Sequence, residues 1–163
     1  MVLKNTSGSS FLLILTLTLI SSCYKHDHIV VFTSDEITRL ISGDTTKSWE
    51  TVKSVINGTE NNGDPCAINT IRKFSFSKQD QTTHLYEIYK NPGVCNGIDT
   101  LVETGEWYVI QGSPSVGIPD TLAVVLDGDT LRSSIREITS IKLRLSGSVN
   151  NSQIEEDLEW YNP

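Results

Sequence analysis

Ile141-Lys142-Leu143-Arg144-Leu145 alternates apolar and basic residues without an error. That period of two is the mark of a strand with one face buried and the other in water. Downstream, Ser148-Val149-Asn150-Asn151 reads as a loop and 153–160 as a returning strand. With that loop, Lys142 faces Asp157 and Arg144 faces Glu155, two opposite-charge pairs on the outer face, each contributing about 0.2–1 kcal/mol. On the inner face Ile141 meets Leu158 and Leu145 meets Ile154. The same register sets Glu156 opposite Leu143, also inward, where an ionised carboxylate is costly unless paired or wet. Two readings follow: a bulge or strand end turns Glu156 outward, or Glu156 stands at a barrel mouth, orienting a ligand or guarding an edge as an inward charge.

Working back along the chain, Leu126-Asp127-Gly128-Asp129-Thr130-Leu131 carries a tight-turn signal, because residues tolerant of positive φ sit at its corner. Pairing Leu126 with Leu131 there sets Leu122 opposite Ile135. From Trp49 onward, short apolar or alternating runs are separated by Gly, Asn, Asp and Pro clusters. Strands are expected at 48–56, 70–77, 84–90, 101–111, 121–126, 130–138, 140–146 and 153–160. No strand–helix–strand alternation is visible, so a parallel sheet is disfavoured. The expected fold is all-β, an antiparallel meander of about eight strands that hides its edges by closing into a barrel. One short helix precedes it: Thr33-Ser34-Asp35-Glu36 forms a capping box, Ile37, Leu40 and Ile41 give an apolar stripe, and Gly43 supplies the stop.

The start of the chain has a different character. Lys4 leads into an apolar run, Phe11 to Ile20, that ends at Ser21-Ser22-Cys23. Such a run is a secretory signal, too short for a hydrocarbon core that takes about 20 helical residues to cross. Small residues placed directly before a cysteine resemble the lipobox of bacterial lipoproteins. That resemblance implies cleavage after residue 22 and acylation of Cys23, with several chains holding the protein on a membrane where one alone is marginal. Residues 1–22 are then the leader, 23–32 a lipidated tether, and 33–163 the folded domain. The expected location is the cell envelope, at the outer membrane of a Gram-negative bacterium, with both the periplasmic and the surface face open.

Of three cysteines, Cys66 and Cys95 remain once Cys23 carries lipid. An oxidising compartment permits them to bond, the alternative being two buried thiols. They lie equally far from the turn of a hairpin that pairs Phe76 with Leu85, so a disulfide would clamp the open end of that hairpin. No Cys-x-x-Cys spacing supports zinc or thioredoxin-like chemistry.

Leu40-Ile41-Ser42-Gly43, Lys47-Ser48-Trp49, Cys66, Phe74-Ser75-Phe76, Cys95, Gly105-Glu106-Trp107 and Ile138-Thr139-Ser140-Ile141-Lys142-Leu143 together resemble the bacterial lipocalin-like lipoprotein domain over about residues 36 to 160. Lipocalins carry a Gly-x-Trp near the first strand. Here Gly43 lies six residues before Trp49, and the cleaner Gly105-Glu106-Trp107 comes mid-chain. The resemblance implies a barrel more firmly than it implies a pocket, since about eight strands enclose either side chains alone or one small ligand.

A net charge of −7 over 163 residues lacks the basic footprint of nucleic-acid binding. Catalysis finds no Gly-x-Ser-x-Gly elbow and no triad spacing around His84, and the chain is expected not to be an enzyme. Neither a cofactor nor a metal is expected. His26-Asp27-His28 and the acidic run Glu155-Glu156-Asp157 with Glu159 read as solvated rather than ligating, no calcium-loop pattern organising the latter. Trp49, Phe74, Phe76, Tyr86 and Trp107 supply aromatic surface for a closed core or for the apolar wall of a small-molecule site, with Glu156 its polar group. The expected partners are a membrane, through the lipid, and either a small apolar ligand or another envelope protein.

Overall fold

Two corners set the frame of the sheet. Asp127 and Gly128 have φ of 48° and 91°, and Asn150 and Asn151 of 49° and 66°. Positive φ at both central residues gives two-residue turns whose twist matches that of the strands they join. The computed structural model describes residues 31–63, 65–77, 84–95 and 100–162. The leader, Cys23 and His26-Asp27-His28 lie outside the described residues.

Helix α1 (Ser34–Ser42) leads into β1 (Thr46–Ile56) and a two-residue β2 (Thr59–Glu60), then a single helical turn α2 (Pro65–Ile68). Strands β3 (Thr70–Phe76), β4 (His84–Lys90), β5 (Leu101–Ile110), β6 (Thr121–Leu126), β7 (Asp129–Ile138), β8 (Lys142–Val149) and β9 (Ser152–Trp160) follow. Every pairing is antiparallel, neighbours in sequence are neighbours in the sheet from β3 to β9, and β1 bonds both β3 and β9. The result is a closed eight-stranded barrel with β2 as one extra strand beside β1, the all-β meander expected from the sequence.

Strand positions follow the sequence reading closely, whereas three registers differ from it. The last hairpin closes through Asn150-Asn151 alone, so Lys142 faces Glu159, Arg144 faces Asp157, Leu143 faces Leu158 and Leu145 faces Glu156. Shortening the loop by two residues slides the partners by two and leaves every side chain on its expected face. Ile141 falls outside the strand, since the Thr139 hydroxyl accepts the Ile141 and Lys142 amides and turns the chain there, and it is 61% exposed. In the same way Asp127-Gly128 brings Val124 opposite Leu131 and Leu122 opposite Ser133, not Ile135.

The third difference changes faces. Phe76 pairs with His84 and Phe74 with Tyr86, one residue out of step with the expected Phe76–Leu85 pair, and Leu85 points outward. The cysteines misled the register because neither lies in a strand. Cys66 is in α2 and Cys95 in the loop after β4, so the ladder does not run through to them. They are bonded nonetheless.

Helix α1 is built as its sequence predicts: the Thr33 hydroxyl accepts the Glu36 amide at 3.3 Å and the Glu36 carboxylate accepts the Thr33 amide at 2.7 Å. Those bonds hold the Glu36 carboxyl below its usual range. Ile37 and Ile41 are buried in the barrel core, and the helix touches β1, β3, β5 and β7, closing one end. The Trp49 indole donates to the Ile41 carbonyl at 2.7 Å, while Lys47 donates to the Leu40 and Ser140 carbonyls and lies 4.0 Å from the Trp49 ring centre.

Candidate functional site: a cavity in the open half of the barrel

Alternation along β3 sends Arg72, Phe74 and Phe76 inward together, and the same parity on β4 does so for His84, Tyr86 and Ile88. Nearest the helix the interior is solid. Trp49 and Trp107 are 0% and 1% exposed, Phe74 meets Trp107 edge-on with centroids 5.3 Å apart, and the Trp107 indole donates to the Ser75 carbonyl at 3.1 Å. Phe74 next packs on Tyr86, 4.9 Å away. Beyond Tyr86 the filling stops.

The space beyond is a cavity of about 250 Å³ on the side of the Asp127-Gly128 and Asn150-Asn151 turns. Its wall is apolar over Phe74, Ile88, Leu122, Val124, Leu126, Leu145 and Ile154. Gly105 and Gly147 face inward by register, opposite Tyr86 and Ser133. A Cβ on Gly105 would collide with the Val125 carbonyl and approach Leu126 Cδ2 to 2.7 Å, so only glycine lets β5 and β6 meet that closely there.

Polar groups converge in this half. Glu156 points inward, as the alternation of β9 requires, and the Arg72 guanidinium forms an ion pair with it. The two side chains are 18% and 19% exposed. Arg72 Nε is buried with no hydrogen-bond partner among the described residues. Burial disfavours the guanidinium charge, but the oxygens of Tyr86 and Glu156 outweigh it and hold Arg72 above its ordinary pKa. Burial likewise pushes the Tyr86 phenol up. Glu103, opposite Ile88 and inward, completes the charged set.

The cysteine pair sits beside this region. Their Sγ atoms bond across a Cα separation of 5.2 Å, tying the turn that enters β3 to the loop that leaves β4. In that loop Asn91 is buried, accepts the Gly93 amide through its side chain at 2.9 Å, and donates to Glu50.

The residues singled out by sequence thus divide. Phe74, Tyr86 and Glu156 line the cavity. Trp49 and Trp107 are core beneath it, and Phe76 lines a separate cleft between α1 and β5 with His84 and Tyr108. Arg72, Glu103 and Ser133 escaped notice, although Arg72 shares the parity of Phe74 and Phe76, and Glu103 that of Gly105 and Trp107. Among the described residues no three metal-ligating side chains cluster, and no helix is long and apolar enough to cross a membrane. Comparison with protein-family models and with curated proteins finds no match for this chain.

Proposed function

We propose that this protein is an exported lipoprotein, held at the envelope by acyl chains on Cys23, and that its barrel takes up a compact, mostly apolar ligand rather than carrying out catalysis. The observation that supports this best is the cavity of about 250 Å³, apolar-walled and furnished with a few inward polar groups, in the half of the barrel that α1 does not plug. Small-molecule sites have that composition and usually occupy ~300–1,000 Å³, so the ligand would be small. Native mass spectrometry of protein purified gently from its host tests it. A co-purified molecule of low mass is the expected result, and a bare chain under conditions that preserve its fold counts against it.

The anchor has its own test. Replacing Cys23 by Ala should move the protein from the membrane to the soluble fraction, and an undiminished membrane fraction would remove the lipid from the proposal. A second reading, a structural or protein-interaction lipoprotein, is favoured by the filled half of the barrel, where Trp49, Phe74 and Trp107 leave no room. On that reading saturation with small amphiphiles leaves thermal stability unchanged, whereas a ligand that binds the folded state raises it.

A further inference from the structure

We propose that the cavity selects a compact organic cation, an ammonium group on an apolar body, held by Glu103. The inference rests on the reading of the cavity as a ligand site and adds the sign of the ligand's charge. Three charged side chains face the space, Arg72, Glu103 and Glu156, beside the uncharged phenol of Tyr86. Arg132 also borders it, but its register partner is Ala123, on the face opposite to Leu122 and Val124, and the residue is exposed, so solvent screens its charge. Arg72 and Glu156 are paired with each other, and their charges cancel.

Glu103 is left over. It is half-buried, faces inward opposite Ile88, and has neither an ion-pair nor a hydrogen-bond partner among the described residues. A single uncompensated negative charge in a concave, largely apolar wall focuses its field into the cavity and raises the local concentration of cations. The aromatic pair Phe74 and Tyr86, with centroids 4.9 Å apart, adds ring surface that attracts a cation when it is desolvated. An anionic amphiphile meets the opposite situation: it must approach two carboxylates, and Arg72, the cation that faces the space, is paired with Glu156 through its Nη2, while its unpartnered Nε is buried. A neutral amphiphile of the same shape gains the apolar wall alone.

Hexylammonium, hexan-1-ol and hexanoate present the same body with charges of opposite sign or none. Titration calorimetry at pH 7 on the full-length protein from its host, in detergent-free nanodiscs, should give a dissociation constant for hexylammonium at least tenfold below those of hexanol and hexanoate. In Glu103→Gln that advantage should vanish while the affinity for hexanol stays the same, which also shows that the variant has kept its cavity. Equal or tighter binding of hexanoate, or an advantage that survives Glu103→Gln, overturns the cation inference and leaves the ligand cavity standing. Binding of none of the three overturns both.

Discussion

Arg72 stands in the run Thr70-Ile71-Arg72-Lys73-Phe74-Ser75-Phe76, where two adjacent basic residues look alike and fold to opposite faces. Lys73 turns out to Glu87, 3.1 Å away, and Arg72 turns in to Glu156. Removing one member of a buried pair strands the other, which costs about 3–5 kcal/mol when burial is complete; the remaining exposure of 18% and 19% brings the expected loss to ~2–4 kcal/mol. Arg72→Met and Glu156→Leu should therefore each lower the urea midpoint. The double variant should recover most of the loss, because the orphaned Arg72 Nε–H disappears with the pair. A double variant no better than the worse single one would show that the pair does not act as a unit. The inward position of Glu156 was one of two readings that the alternation of 141–145 left open, and it follows in any register of the same parity once no bulge intervenes. Arg72 was not legible, because an arginine in a strand reads as solvated until its partner is known, and that partner lies on a strand distant in sequence.

Hairpins show where local chemistry decides and where it does not. Asp-Gly and Asn-Asn corners mark turns from sequence, yet both turns are tighter than expected, with Leu126 closing directly onto Asp129 and Val149 onto Ser152. Strand spans depend on composition and were legible; registers depend on one or two corner dihedrals and were not. Gly105 is the most demanding position in β5. Gly105→Ala is expected to cost at least ~2 kcal/mol, since its Cβ meets backbone that cannot retreat without parting β5 from β6. Thermal unfolding checks this, with Gly128→Ala as the contrast: a Cβ there meets nothing within 4 Å, and only its φ of 91° is strained. The disulfide closes a separation of 29 residues, worth ~3–4 kcal/mol in the chain-entropy model. Urea unfolding with and without reductant should differ by that amount, and alkylation without reductant should leave Cys66 and Cys95 unmodified.

Across the whole molecule the acidic charge makes stability depend on pH in one direction. The hydrogen bond from Arg144, at 2.6 Å, holds the Asp157 carboxyl below its ordinary value despite partial burial. In Glu87, bonds from Tyr89 and Lys73 overcome burial to the same effect. A carboxyl with a depressed folded pKa contributes stability above its unfolded pKa and loses it as pH falls through the folded one. The melting temperature should therefore hold from neutrality to about pH 4.5 and decline below it. Asp157→Asn should flatten that decline slightly, by less than ~1 kcal/mol, because Arg144 is 42% exposed and solvent screens the pair. A decline that begins at neutral pH would point to another group.

The barrel closes where β1 meets β9, with Trp49 opposite Trp160 and Ile56 opposite Ile154. Those partners are nearly as far apart in the chain as the domain allows, so the seam is the contact with the highest loop-closure entropy and belongs to a slow, non-local class of folding. A ribosome releases β1 first and β9 last, and every shorter nascent length carries β1 with one long edge unsatisfied. Such a chain cannot close its barrel until its final strand is available to β1. The timing of folding is thus written into the topology: the last nine-residue strand acts as the latch.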